Sequence, residues 1–162
     1  MLKRKVEEQL EAWYQNPDKK ALCIYGARQI GKTTSVREFA RIHYENFVEL
    51  NFLNDRTVHS IFSTAMNAKQ IIEQIEVYAG RSLSGSRTLL LLDEIQECPQ
   101  ARTAVKFLVE DGRLDIIETG SLLGVKISEV RSIPVGFEQS VSMYPLDLEE
   151  FLWGVGIPQN TI

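Results

Sequence analysis

The chain has the length and composition of one globular domain with a substantial apolar core. It contains 162 residues, of which 44% are hydrophobic and 25% are charged, and these values exclude disordered and fibrous classes. The formal net charge of −4 argues against a broad nucleic-acid-binding surface within this segment. A local basic patch or a further domain could still bind nucleic acid.

Cysteine usage and hydropathy indicate the compartment. Cys23 and Cys98 have no histidine nearby at metal-ligand spacing, so the sequence predicts two reduced thiols rather than a zinc site or a disulfide framework. No apolar run approaches the ~20 residues that a membrane helix needs, and the charged start Met1-Leu-Lys-Arg-Lys5 does not resemble a signal peptide. We therefore expect a cytoplasmic protein without a membrane partner.

Apolar spacing along the chain predicts alternating helices and strands. The predicted helices cover 2–15, 34–43, 61–79 and 99–110, and the predicted strands cover 21–25, 47–52, 88–92, 114–119 and part of 135–143. A capping box from Asp147 to Glu150 indicates one more helix start. Alternation of this kind predicts an α/β fold, a three-layer sandwich with a mostly parallel five-stranded sheet.

The most informative motif follows the first predicted strand, where Gly26-Ala-Arg-Gln-Ile-Gly-Lys-Thr33 matches G-x-x-x-x-G-K-[ST]. In this motif glycines let backbone N–H groups converge on phosphates, Lys32 reaches the outer phosphates, and Thr33 supplies a hydroxyl for Mg²⁺. The predicted nucleotide-binding residues are Gly26, Ala27, Arg28, Gln29, Ile30, Gly31, Lys32, Thr33 and Thr34. For Arg28 two interpretations stay open: contact with phosphate or a neighbouring subunit, and a solvent-facing side chain.

Two adjacent carboxylates form a second motif. Asp93-Glu94 follows four consecutive leucines that predict a buried strand. An aspartate in this position holds Mg²⁺ together with the loop hydroxyl, so Thr33 and Asp93 are the predicted metal ligands. Glu94 is then placed to polarise a water for attack on the γ-phosphate. Alone, the pair would indicate an acidic surface turn; the upstream loop favours the nucleotide site.

Polar residues near two other strand ends are weaker signals. Ser121 is compatible equally with a position facing the γ-phosphate and with the N-cap of a helix over 122–128. Asn51 would hold Glu94 away from water until a partner binds, or it is an exposed turn asparagine.

These motifs together resemble the bacterial and archaeal AAA-type ATPases of the AAA_14 family. The resemblance rests on Gly26-Ala-Arg-Gln-Ile-Gly-Lys-Thr-Thr34, Leu-Leu-Leu-Leu-Asp93-Glu-Ile-Gln96, Thr119-Gly-Ser121, Met143-Tyr-Pro-Leu-Asp147 and Glu150-Phe-Leu152. It spans about residues 19–153. It implies a P-loop core of the additional-strand type, with the Thr119 strand between the loop strand and the Asp93 strand. It further implies that Glu94 activates water and that Ser121 lies near the sensor position.

The resemblance also carries expectations about domain limits. Residues 1–162 are expected to form one ATPase core, with an amphipathic helix in 1–16 and with 154–162 leading towards a C-terminal domain that this sequence lacks. One position departs from the family pattern: Val135-Gly136-Phe137 stands where relatives often have Val-Gly-Arg. The departure implies that a phosphate-sensing arginine at this point is absent or displaced.

The expected function is ATP binding with Mg²⁺-dependent hydrolysis, coupled to conformational change in an attached domain or partner. Lys32, Glu94 and Ser121 are the expected catalytic residues, and the partners are the C-terminal domain, a homo-oligomer or another protein. The alternative is a non-hydrolysing regulatory or DNA-associated module. A GTPase is disfavoured because no Asn-Lys-x-Asp pattern occurs, and a small-molecule kinase because the 80–87 loop is too short for a lid.

Overall fold

The computed structural model of the chain describes residues 3–64, 67–121 and 136–157. The helices are α1 (Val6–Gln15), α2 (Lys32–His43), α3 (His59–Thr64), α4 (Ala68–Ala79), α5 (Pro99–Asp111) and α6 (Leu148–Gly154). The strands are β1 (Ala21–Gly26), β2 (Asn46–Asn51), β3 (Thr88–Asp93), β4 (Asp115–Ser121) and β5 (Glu138–Ser142). Short 3₁₀ turns cover Arg56–Val58 and Ile95–Glu97.

The five strands form one sheet in the order β2-β3-β4-β1-β5, and every neighbouring pair is parallel. The predicted α/β class and the predicted place of the Thr119 strand, between the loop strand and the Asp93 strand, are therefore confirmed. Since all strands point the same way, their carboxyl ends meet at one edge. The register there pairs Gly26 with Ser121 and Asn51 with Asp93.

Both faces of the sheet are covered, which makes three layers. Leu90 and Leu92 belong to a core cluster with apolar residues of α3, α4 and α5. Leu89 and Leu91 belong to a second cluster with α1 and α2. Successive strand residues point to opposite faces, so a strand buried on both faces must be apolar at every position. This explains the unbroken leucine run before Asp93.

The segment 61–79, which the sequence predicts to be mostly helical, contains two helices, α3 and α4, on either side of positions 65–66, which lie outside the described residues. Asn67 is the N-cap of α4, and its side chain accepts a hydrogen bond of 2.9 Å from the Gln70 backbone. Asparagine favours caps over helix interiors because its side chain competes for backbone donors. The apolar spacing continues across this boundary and therefore hides it.

The fourth strand, which the sequence predicts to be broken after Thr119 by Gly120-Ser121, extends further than predicted. β4 continues through Ser121, and an added Cβ at Gly120 would lie 3.2 Å from the ring of Tyr25 on the neighbouring strand. The glycine here accommodates a close ring rather than a turn. The alternative helix over 122–128 lies outside the described residues, and β5 occupies only the Glu138–Ser142 part of the predicted 135–143 segment.

Cys23 and Cys98 are free and buried, and burial raises the pKa of both thiols. A raised pKa keeps a thiol protonated and unreactive, which agrees with a structural role. Among the described residues, no helix is both long enough and apolar enough to cross a membrane.

A buried polar cluster lies between the sheet and α5. Arg102 donates from Nη2 to both carboxylate oxygens of Glu138, at 3.0 and 2.9 Å, and to the hydroxyl of Tyr25 at 2.6 Å. Glu118 is fully buried, and within the described part of the chain neither of its carboxylate oxygens receives a hydrogen bond. Burial, and then the charge of Glu138, raise the pKa of Glu118 well above its usual range. A protonated Glu118 therefore removes the charge repulsion between the carboxyl groups of Glu118 and Glu138.

This cluster predicts a pH-dependent effect of Glu118→Gln. With its pKa raised in the folded state, Glu118 stays protonated while the unfolded chain loses that proton above about pH 4.3, so the residue lowers stability as pH rises. Glutamine keeps the donor and cannot ionise. In urea unfolding, E118Q should gain stability relative to the parent between pH 5 and 8, whereas E110Q, at an exposed position, should not. A difference that is constant with pH would contradict a raised pKa.

Candidate functional site

Three strand ends and one helix start converge at the carboxyl edge of the sheet. Gly26, Asp93 and Ser121 are the last residues of β1, β3 and β4, and α2 begins at Lys32. Ligands of open parallel sheets bind at this edge, where loops leave the strands. Residues 26–33, hereafter the phosphate loop, connect β1 to α2 here.

The backbone of the phosphate loop explains its residue types. Gly31 has φ +96° and is the N-cap of α2, without a side-chain cap, so the first N–H groups of the helix remain available to an anion. At Gly26 an added Cβ would overlap the carbonyl oxygen of Met143 and would lie 2.6 Å from Ile30 Cδ1. Gln29 has φ +61°, which is uncommon for a residue other than glycine. The loop is held in one strained shape.

Lys32 is buried and turned into the phosphate loop. Its Nζ donates to the carbonyl oxygens of Gly26, at 3.0 Å, and Ala27, at 2.7 Å. Burial lowers the pKa of Lys32 against the opposing charges of Glu94 and Asp93. The ammonium therefore uses loop carbonyls as partners, and these are weaker acceptors than phosphate oxygens.

Asp93 is buried and receives three hydrogen bonds from three different elements. The Thr33 hydroxyl donates to Oδ1 at 2.8 Å, the Thr119 hydroxyl donates to the same oxygen, and the Asn51 amide donates to Oδ2 at 2.6 Å. The structure thus brings both predicted metal ligands together. It corrects the interpretation of Asn51, whose side chain contacts Asp93 and not Glu94, because the two residues are register partners on β2 and β3.

Glu94 is held at one of its two carboxylate oxygens. Oε2 accepts hydrogen bonds from Gln96 Nε2 at 2.5 Å and from Ser121 Oγ at 3.0 Å. Within the described residues Oε1 has no hydrogen bond, and the backbone N–H of Glu94 donates to the Thr119 hydroxyl at 3.2 Å. Glu94 has φ +57° and ψ +50°, a left-handed conformation that costs roughly 1–2 kcal/mol. Such strain is a mark of functional sites.

Sequence reasoning assigned no role to Gln96 or Thr119. Gln96 lies in the short turn after β3 and also accepts the Ser121 N–H at 3.4 Å, so it bridges the ends of β3 and β4. No spacing rule reveals such a contact, because it depends on which strands are neighbours. The order of the strands in the sheet is the signal that identifies it.

The structure shows where two positions lie for which the sequence raised a question about arginine, Arg28 and position 137. Arg28 is exposed on the phosphate loop, so its side chain is available to a phosphate or to a neighbouring molecule. Position 137 lies at the other edge of the sheet, where the carbonyl of Phe137 accepts a hydrogen bond of 3.0 Å from the N–H of Ala21. That is one strand length, roughly 16 Å, from the phosphate loop. A side chain at position 137 therefore lies far from the phosphate loop of its own chain.

Comparison with known families identifies the chain. The family profile of AAA_14, described as an AAA domain, matches residues 18–152. The chain belongs to the AAA_14 family. This confirms the resemblance drawn from the motifs, and it supports a nucleotide-binding, ATPase-type function for the domain.

Relatives of this AAA_14 domain agree with the assignment. The domain is 27% identical over 156 residues to "Uncharacterized protein MJ1637" of Methanocaldococcus jannaschii. The aligned region covers 91% of this chain and 31% of the relative. The chain therefore spans about a third of that protein's length. A chain in the structure of Drosophila ORC bound to DNA matches with a TM-score of 0.52 and 13% identity, over 85% of this chain and 41% of that one. At this identity the match shows the fold alone.

The contact at Gly26 predicts a stability difference between two glycine variants. In Gly26→Ala the new Cβ meets the Met143 carbonyl, and Met143 N is itself hydrogen-bonded to Tyr25 O at 2.7 Å, so neither backbone can move freely. We expect a loss of about 1–3 kcal/mol in the free energy of unfolding. Gly120→Ala meets only side-chain atoms, those of the Tyr25 ring and Gln96 Oε1, and serves as the matched control. Equal losses for the two variants would contradict the packing described for Gly26.

Proposed function

We propose that this AAA_14 domain binds ATP and hydrolyses it in a Mg²⁺-dependent reaction. The observation that carries the proposal is the state of Glu94 beside the paired Thr33 and Asp93. Its carboxylate is anchored at Oε2, and Oε1 has no hydrogen bond to any residue that the structure describes. A general base needs this arrangement, since one oxygen must be oriented while the other accepts a proton.

The oxygen donors at the strand ends suit a magnesium ion. The Thr33 hydroxyl and the Asp93 carboxylate lie 2.8 Å apart, and hydroxyl and carboxylate oxygens are hard ligands of the kind that Mg²⁺ prefers. Thr33 and Asp93 would therefore hold the ion. When bound, Mg²⁺ would supply positive charge that offsets the charge of the phosphates.

The chain's own groups have separate roles in the proposed reaction. Backbone N–H groups of the phosphate loop and Lys32 bind the phosphates, and Lys32 exchanges the loop carbonyls for phosphate oxygens. Glu94 Oε1 accepts a proton from water as the water oxygen bonds to the γ-phosphorus and the bond to the ADP oxygen breaks. Ser121 Oγ, on the neighbouring strand end, donates its one proton to Glu94 Oε2 at 3.0 Å and would therefore act by orienting that base.

Coupling to an attached domain or partner is part of the proposal. The relative from Methanocaldococcus jannaschii is about three times as long as this chain. Residues 1–162 would then be the ATPase core, with 154–162 leading to a C-terminal domain, in a cytoplasmic protein that acts on that domain, on a second copy or on another protein. Exposed large apolar residues near α6 support a covering partner; they are Tyr144, Leu146, Leu148, Phe151 and Val155.

The non-hydrolysing alternative has less support from the structure than from the sequence. It rested on the absence of an arginine at position 137, and Phe137 lies at the opposite edge of the sheet from the phosphate loop. The net charge of −4 also gives little support to a DNA-associated role for this segment. Hydrolysis is therefore the function that the site favours.

Phosphate release from ATP tests the proposal. Glu94→Gln keeps the hydrogen-bonding size but cannot take a proton, so turnover should fall by roughly 10²- to 10⁴-fold while nucleotide affinity stays near that of the parent. Lys32→Ala should lose binding itself, and removal of Mg²⁺ should stop turnover in the parent. Turnover by E94Q equal to that of the parent, with ATP bound, would remove Glu94 from the proposed role.

A second variant tests whether the anchor on Oε2 matters. Gln96→Leu removes the amide donor and leaves Glu94 chemically intact, so kcat should fall roughly ten- to hundredfold while KM changes little, because misorientation acts on the reacting geometry. Gln100→Leu, on the exposed surface at the start of α5, is the matched control. An unchanged kcat in Q96L would show that the contact is not needed for turnover.

A further inference from the structure

Arg4 is a buried cation that contacts the phosphate loop but belongs to none of the sequence motifs described above. Only 6% of the residue is exposed. Its Nη1 donates to the carbonyl oxygen of Ile30 at 2.8 Å, and its Nη2 donates to the carbonyl oxygen of Tyr144 at 2.8 Å. Its Nε forms an ion pair with Glu150 Oε1 at 3.1 Å. One guanidinium thus joins the phosphate loop, the segment after β5, and α6.

Glu150 is itself fixed at the start of α6. Its Oε1 accepts a hydrogen bond of 2.8 Å from the Lys5 N–H, and its Oε2 accepts one of 3.2 Å from the Asp147 N–H. Asp147 completes the capping box by accepting the Glu150 N–H at 2.8 Å. Burial raises the pKa of Glu150, but these backbone donors and Arg4 outweigh it and lower the pKa below its ordinary value. The carboxylate is therefore the charged partner that Arg4 requires.

The pairing constrains α6 and the N-terminal segment to move together. Glu150 is 5% exposed, so separation of the pair would leave each buried charge without its counter-ion, which is unfavourable. Arg4 also has a planar fork whose donors reach several acceptors at once, and a lysine in its place cannot reproduce that geometry. A displacement of α6 is therefore transmitted to the Ile30 carbonyl.

The Ile30 carbonyl is a sensitive position in the phosphate loop. It belongs to the peptide between Ile30 and Gly31, and Gly31 is the positive-φ N-cap of α2. In a trans peptide the N–H points away from the C=O, and the described residues contain no cis peptide. A donor that holds the carbonyl from outside the loop thereby orients the Gly31 N–H towards the opposite side.

We propose that Arg4 is a positioning residue that couples the shape of the phosphate loop to the position of α6. Nucleotide bound in the loop stabilises the docked α6, and displacement of α6 by an attached domain or partner weakens nucleotide binding by the same factor, since coupling between two sites is reciprocal. The nucleotide part of this inference rests on the proposed function; the mechanical part does not.

Arg4→Gln and Glu150→Gln break the pair from either side, and Lys5→Gln is the matched control. Lys5 makes two exposed ion pairs to the same helix region, with Asp147 at 2.6 Å and Glu149 at 2.7 Å, and such surface pairs contribute little. Without nucleotide, hydrogen exchange should accelerate in both the phosphate loop and 144–154 in R4Q and E150Q, and in neither region in K5Q.

The second readout is nucleotide affinity, measured with a fluorescent ADP analogue and with ATP. R4Q and Arg4→Lys should weaken binding roughly tenfold, within the usual range of coupling, while K5Q should bind as the parent does. If R4Q fails to fold, E150Q and R4K decide the question. A double variant, R4Q/E150Q, should cost less than the sum of the single changes.

The outcomes separate the two proposals. If the parent binds nucleotide and R4Q, R4K and E150Q bind equally well, the coupling is wrong while the proposed function stands. If the parent binds no nucleotide, the proposed function is wrong, and hydrogen exchange still decides whether Arg4 links the two segments. Faster exchange confined to 144–154, with an unchanged phosphate loop, would overturn the inference.

Discussion

The buried carboxylate of Asp93 is the interaction on which the arrangement of the site depends. A charge removed from water must be compensated, and here hydroxyl and amide groups from α2, β2 and β4 supply the hydrogen bonds. Those donors fix the strand ends relative to one another and to the phosphate loop. Glu94, the next residue, has a left-handed conformation and is anchored through Gln96 and Ser121.

Much of the fold could be predicted from the sequence because its signals are local. The leucine run before Asp93 indicates a strand buried on both faces, and the glycine and lysine spacing of the phosphate loop requires a strand before it and a helix after it. Both were found in the structure. Local patterning failed at Asn67 and Gly120, where a cap inside an apolar helical pattern and a glycine beside Tyr25 carry no distinctive spacing.

The contacts that organise the site join residues far apart in the chain, and no local pattern encodes them. In the sequence, Arg4 is one of several charged residues near the N-terminus. In the structure it lies buried between the phosphate loop and α6, and it contacts the carbonyl of Tyr144, 140 positions away in the chain. The contacts of Gln96 could be predicted only if β3 and β4 were known to be neighbours in the sheet. The family pattern links position 137 to phosphate sensing, and only the structure shows that Phe137 lies at the far end of the strands from this chain's phosphate loop.

The central claim is that the site uses a water molecule, oriented by an anchored Glu94, to cleave ATP. The most direct measurement is ATP turnover in ¹⁸O-labelled water by the full-length protein with Mg²⁺, followed by mass analysis of the γ-phosphate. The account predicts inorganic phosphate that carries at least one solvent oxygen. Bound ATP that releases no labelled phosphate, or a γ-phosphate recovered on another acceptor, would contradict it.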